Sequence, residues 1–263
     1  MPKEAKPKPE RNTTGKNSFG GHLKELRKVI IVSACAIGVG FLIVFIGFSE
    51  QLILFFSRTL ADRNIQIINT GVAEVFRTQA LASFVAGIVI AAPVVFWQIW
   101  SFLKPALYPK EQTTFRLVFL IICALFITGV LFAYLLVFNI AVNFFILTGE
   151  NIAVPMISIA EYIRMLFAFV IPFGLIFQMP VVITMLLKLG IVTCQGLVKG
   201  RKYVIFFNFL IAAILTPPDI VTQLMLSLPM CLLYEICIFI SRGVSFVKRE
   251  DTEDNDKAVE ASG

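Results

Sequence analysis

Two carboxylates stand where the surrounding residues would not predict them. Glu25 lies in His22-Leu23-Lys24-Glu25-Leu26-Arg27, and Glu111 closes Phe102-Leu103-Lys104-Pro105-Ala106-Leu107-Tyr108-Pro109-Lys110-Glu111. Both segments are basic and border long apolar stretches. A carboxylate accepts two parallel N–H bonds from one guanidinium, so a pair of them could hold a ligand that carries arginines. The plainer alternative is a surface ion pair with Lys24 or Lys110, which contributes little. Gln178 and Asn208 fall inside apolar stretches, where an amide bonds across helices more readily than it binds a solute. Glu235, seven residues before Arg242, is expected to snorkel or pair at an interface, with a partner contact as the alternative. No catalytic constellation accompanies these groups: G-x-x-x-x-G-K-[ST], H-E-x-x-H and G-x-S-x-G are all missing, and His22 is the single histidine. Cys35, Cys123, Cys194, Cys231 and Cys237 have no metal-ligand spacing. The expectation is a protein that is not an enzyme and has no metal and no cofactor.

The elements that must position these residues are apolar. Of 263 residues 58% are hydrophobic and 15% charged, far from the roughly 25% charged of an ordinary soluble domain. The hydrophobic residues lie in six blocks: Val29–Phe48, Thr78–Phe102, Leu117–Phe138, Met165–Leu187, Tyr203–Leu215 and Ile220–Ile240. At ~1.5 Å per residue, four of them reach the ~30 Å of a bilayer core without strain. The chain therefore reads as an all-α membrane protein with six transmembrane helices. The first block is too long for the apolar core of a signal peptide and is expected to remain as a helix.

Charge sets the orientation. Nineteen of the 23 Lys and Arg fall in the N-terminal segment, the second and fourth gaps and the tail, and only Arg58, Arg63, Arg77 and Arg164 fall on the other side. That asymmetry predicts both termini in the cytoplasm. It favours anionic lipid head groups and argues against a nucleic-acid partner. Residues 1–20 read as a basic disordered segment, 21–242 as the transmembrane domain, and 243–263 as a charged disordered tail. The fifth block has 13 residues, ~20 Å as a helix, and ends at Thr216-Pro217-Pro218-Asp219, so its turn should lie recessed in the bilayer. Pro93, Pro172, Pro180 and Pro229 should bend their helices, and Ala82/Ala86 and Gly129/Ala133 permit close helix approach. Trp97, Trp100 and Tyr108 suit an interfacial aromatic belt. His22 suits a helix start, and Glu74, at the outer boundary of the second block, has no role that its neighbours define.

At these residues the chain resembles a known family. Gly21-His22-Leu23-Lys24-Glu25-Leu26-Arg27, Trp97-Gln98-Ile99-Trp100-Ser101-Phe102, Pro105-Ala106-Leu107-Tyr108 with Glu111, Phe132-Ala133-Tyr134, Phe177-Gln178-Met179-Pro180 and Leu215-Thr216-Pro217-Pro218-Asp219 with Gln223 are similar, in order, to the signatures of TatC. That family is the multi-spanning receptor subunit of the twin-arginine protein translocase, and the likeness runs from about residue 21 to 242. It implies six helices in a cupped arrangement with short fifth and sixth spans, in the bacterial cytoplasmic membrane. It implies binding of folded precursors through signal peptides with two consecutive arginines, and recruitment of single-span partner subunits into a pathway driven by the proton-motive force. Self-association is expected as well.

Carried over by motif, Glu25 and Glu111 would contact the arginines. Leu23, Arg27, Phe102, Pro105 and Tyr108 would frame that site, and Gln178, Asp219 and Gln223 would be polar positions of the cup. The chain departs from the pattern at Gln178, where many members have Glu, and at Asn139, where a Pro is usual. From the residues alone, a small-solute secondary transporter is the alternative. It would need repeated halves and an intramembrane ionisable pair, and the six blocks show no obvious repeat.

Overall fold

The computed structural model describes the backbone of residues 14–61, 65–69, 71–107, 112–149, 156–216 and 219–260, and within them the side chains of 24–58, 60, 65–69, 71–102, 116–148, 156–216 and 219–242. The helices are α1 (Thr14–Gly47), α2 (Ser49–Ala61), α3 (Glu74–Leu107), α4 (Gln112–Phe132), α5 (Asn139–Gly149), α6 (Ile159–Ile176), α7 (Met179–Lys188), α8 (Cys194–Leu215) and α9 (Ile220–Glu260). Short strands β1 (Gln66–Ile68) and β2 (Met156–Ser158) pair in parallel, Ile67 opposite Ile157. In lipid every backbone N–H and C=O must bond internally, which is why the apolar blocks are helices.

Five stretches are long and apolar enough to cross a membrane: Lys24–Gly47, Glu74–Phe102, Arg116–Thr148, Ile159–Lys188 and Ile220–Arg242. The block Tyr203–Leu215 is the apolar end of the 22-residue α8, whose first half carries Lys199, Arg201 and Lys202. The last stretch, 23 residues, is the shortest of the five yet covers ~35 Å. Of the two spans expected to be short, the sixth is among these five stretches and the fifth, in α8, is not. The helical backbone also continues outward at both ends, from Thr14 and to Glu260, where composition alone gave a disordered reading. In the tail, Lys248, Arg249, Glu250, Glu253 and Lys257 are good helix formers, so that helix need not stop where its apolar residues do.

The core is organised on α6. Ile163, Leu166, Phe169 and Phe173 are fully enclosed between α3, the α4 segment and α9. Two close approaches fix the packing. A Cβ on Gly129 would lie 2.8 Å from the Phe173 carbonyl oxygen, so α4 meets the backbone of α6 directly. A Cβ on Gly87 would lie 2.6 Å from the Phe41 nitrogen, and one on Gly40 would lie 2.8 Å from the Gly87 oxygen. The antiparallel α1/α3 pair is thus closed backbone to backbone, with Phe41 against Phe84 and Phe45 against Phe76 beside it. The sequence pattern pointed to Gly129/Ala133, and Ala133 is fully buried. It missed Gly40 and Gly87, whose contact joins two different helices.

Two interruptions shape the long helices. Between α4 and α5, Ala133–Phe138 forms a π-helical turn, whose wider ring leaves carbonyls without their usual partners. Asn139 supplies them: its side-chain amide donates to the carbonyls of Tyr134 at 3.2 Å and Leu135 at 3.0 Å. Between α6 and α7 the break falls at Phe177-Gln178, just ahead of Pro180, which lacks the N–H that would have bonded Ile176. Pro172 and Pro229, by contrast, lie inside α6 and α9 without ending them.

Candidate functional site

At the basic end, α1 and α3 bring the expected receptor residues toward one level. From the contact of Gly40 with Gly87, fifteen residues back along α1 reach Glu25, and fifteen forward along antiparallel α3 reach Phe102. Both lie roughly 22 Å from that crossing. Glu25 and Arg27 are exposed, and Phe102 is half-buried. Leu23 and Pro105 belong to α1 and α3, but their side chains lie outside the described residues, as do Tyr108 and Glu111 altogether. The aromatic belt divides: Trp97 is 43% exposed with its ring edge-on to Phe119, whereas Trp100 is 4% exposed and packs against Ile122 in the interior. Trp100 therefore joins α3 to α4 and does not face lipid.

The polar positions of the expected cup are engaged within the fold. Gln178 donates through Nε2 to the Ile122 carbonyl of α4 at 3.3 Å, while its Oε1 is enclosed without a hydrogen-bond partner. An un-ionisable amide stands at the break between α6 and α7, joining two helices. Asp219 caps α9: it accepts from the Thr222 N–H at 2.7 Å and from the Thr222 hydroxyl, the arrangement that satisfies orphan donors at a helix start. Gln223, one turn on, donates to the Phe209 carbonyl of α8 at 3.1 Å. Asp219 and Gln223 thus share the α8–α9 turn, and among the described residues no hydrogen bond links them to Gln178.

The α8–α9 hairpin carries further cross-links. Arg201 and Glu235 pair at 2.8 Å, the Tyr234 hydroxyl donates to the Leu197 carbonyl at 2.9 Å, and the buried Asn208 amide points at Cys231 Sγ at 3.6 Å. Glu235 and Asn208 are therefore joints between helices. At the opposite end of the molecule Glu74 has a definite place. Its carboxylate accepts from the Gly71 N–H at 2.9 Å and from the Ser158 hydroxyl, and Ser158 is the N-cap of α6. One acid at the start of α3 thus clips the start of α6, beside the paired strands.

Sequence reasoning missed this end. Neither α2 nor the strands were anticipated, although Leu52, Ile53, Phe56 and Leu60 recur at helical spacing and pack onto the core. The Tyr162 hydroxyl donates to the Phe56 carbonyl at 3.2 Å and fixes α2 over α6.

An apolar, multi-span helical scaffold whose interior polar groups hold helices to one another defines the class: an integral membrane protein. The family model for Sec-independent protein translocase protein (TatC) matches residues 21–229. The curated relative from Carboxydothermus hydrogenoformans, "Sec-independent protein translocase protein TatC", is 38% identical over 231 residues, covering 88% of this chain and 93% of its own. Those from Bacillus subtilis (TatCy, 35% identical, 84% and 87% covered) and Aquifex aeolicus (34%, 87% and 96%) agree. A solved structure described as the twin arginine translocase receptor TatC superposes with a TM-score of 0.80 at 34% identity, covering 85% of this chain and 99% of that one. The chain belongs to the TatC family of Sec-independent protein translocase proteins, and it is a translocase subunit, not an enzyme.

Proposed function

We propose that the chain is the precursor-binding core subunit of a twin-arginine translocase. In this reading it lies in the bacterial cytoplasmic membrane with both termini inside, and Tyr203–Leu215 of α8 forms a short fifth of six spans. Glu25 and Glu111 take up the two arginines of a signal peptide, within a frame of Leu23, Arg27, Phe102, Pro105 and Tyr108. Gln178, Asp219 and Gln223 face the cup. Single-span subunits and further copies of the chain assemble on the apolar exterior, and the basic face sits on anionic lipid.

The observation that supports this most is the backbone contact of Gly40 with Gly87. It makes the first two long helices neighbours, with Glu25 level with Phe102, in the last turns of α3 ahead of the Glu111 segment. Two carboxylates brought together there would match two adjacent guanidiniums.

Each charge-assisted contact is worth roughly 1.5–3 kcal/mol, so Glu25→Gln and Glu111→Gln should each weaken crosslinking to a twin-arginine precursor by about tenfold to a hundredfold. Membrane insertion should be unchanged. Wild-type crosslinking and export in the double variant, at equal protein level, would exclude this pair as the arginine receptor.

A further inference from the structure

The end carrying the strand pair holds a cleft of about 640 Å³ between the first turns of α3 and α6. Its walls carry Arg77, Arg164 and Glu161, together with Glu74, over apolar Ile68, Leu81 and Met156. The same short motif builds both sides: Ala73-Glu74-Val75-Phe76-Arg77 opens α3 and Ala160-Glu161-Tyr162-Ile163-Arg164 opens α6. Each follows one of the two paired strands. This local repeat is invisible in the apolar blocks because it lies at their edge.

The two acids of the repeat differ in use. Glu74 is turned onto the Gly71 N–H and the Ser158 hydroxyl. Glu161 is exposed, and its carboxylate forms no ion pair among the described residues. Arg77 and Arg164 are exposed as well, and neither has a carboxylate within salt-bridge distance among the described residues. Two guanidiniums on facing helices are a fork for a phosphate, and the α3 and α6 N-termini add their positive ends.

The depth is that of lipid head groups. The apolar stretches begin at Glu74 and Ile159, so both arginines lie within roughly 8 Å of their ends. The four charged side chains sum to zero, and this balance fits a zwitterion better than an anion. We propose that the cleft holds the phosphoethanolamine head group of a phospholipid. Arg77 and Arg164 grip the phosphate, Glu161 accepts from the primary ammonium, and Ile68, Leu81 and Met156 receive the glycerol and first acyl carbons.

The test uses the full chain in detergent, offered phosphatidylethanolamine and phosphatidylglycerol with identical acyl chains, with retained lipid read by native mass spectrometry. The wild type should retain the ethanolamine lipid about fivefold better, and Arg77→Gln with Arg164→Gln should abolish that retention. Glu161→Gln should keep phospholipid binding but lose the preference, and Arg58→Gln, outside the cleft, should behave as wild type. Thermal unfolding run alongside identifies a misfolded arginine variant, in which case Glu161→Gln decides the matter alone. Equal retention of the two lipids by the wild type, or an unchanged preference in Glu161→Gln or in the arginine variant, would overturn the proposal. Displacement of the lipid by millimolar soluble phosphoethanolamine would overturn the lipid source, because the apolar floor would then contribute nothing.

Discussion

The α3–α4–α6 core and the α8–α9 hairpin solve one problem by different means. In the core, glycines let backbones touch and phenylalanines fill what remains: Phe132, Phe173 and Phe177 meet at 5.5–6.5 Å, and Phe138 sits on Tyr162 at 5.0 Å. In the hairpin the small cluster of Leu197, Tyr234, Cys237 and Ile238 is supplemented by an ion pair, a tyrosine hydroxyl, two amides and the Asp219 cap. Lipid offers no hydrophobic drive between helices, so association rests on close packing or on hydrogen bonds. A helix with only 13 apolar residues has little surface to pack, and polar joints carry more of its attachment.

If that contrast is right, steric insults should be worst in the core. Gly87→Val places branching carbons against the backbone of Phe41 and Gly40, atoms that cannot swing aside. Overpacking of this sort costs about 3 kcal/mol, the top of the usual range, and the variant should accumulate poorly and unfold at lower SDS mole fraction than wild type. A Gly87→Val variant as stable as wild type would show that α1 and α3 are not locked together. Next in size is Phe173→Ala. The side chain is fully buried, and its loss leaves a cavity costing about 2 kcal/mol here, below the roughly 3–5 kcal/mol of soluble proteins because lipid-exposed unfolded helices lose less.

This contrast also explains what was legible in the sequence. The apolar blocks and Pro180 declare themselves locally, the blocks reappearing in α1, α3, α4, α6, α7 and α9 and Pro180 in the first turn of α7. The contacts that set the architecture are pairwise between distant residues: Gly40 with Gly87, Glu74 with Ser158, Tyr162 with Phe56. No periodicity encodes such partners. The π-turn was hidden because nothing in Ala133–Phe138 is unusual, and only Asn139, one residue beyond it, signals the freed carbonyls. Of the expected receptor residues, the helix-borne Glu25 and Phe102 could be related through the α1/α3 crossing, while Tyr108 and Glu111 lie outside the described residues. Asp219 was legible as an acid in an apolar setting, and Gln223 only through the family resemblance. Their use as a cap and an inter-helix bond depends on α8 and α9 lying side by side.

In the hairpin, effects should be smaller and tied to single hydrogen bonds. Tyr234→Phe removes the hydroxyl that bonds Leu197 while keeping the ring. The buried Leu197 carbonyl then loses a partner, at about 1 kcal/mol. Cysteine crosslinking between α8 and α9 should become less efficient, with the core untouched. Unchanged crosslinking would mean that the hairpin is held by packing after all, and the contrast with the core would vanish.

The smallest effect is expected at Arg201–Glu235, although it is the one ion pair between two described side chains. The side chains are 40% and 48% exposed, so solvent and head groups screen the attraction, and long side chains lose rotamer freedom in holding one geometry. A double-mutant cycle with Arg201→Gln and Glu235→Gln should give a coupling of about 0.5 kcal/mol, shrinking further as salt rises through 0.5 M, where screening acts within roughly 4–5 Å. Arg201 Nε is enclosed without a partner, so the Arg201 single variant should cost less than the removal of a fully bonded arginine. A coupling of about 2 kcal/mol that is insensitive to salt would place the pair in hydrocarbon rather than at the interface. The α8 helix would then sit deeper than its basic first half allows, and the hairpin's polar joints would have to be counted as strong as the packing of the core.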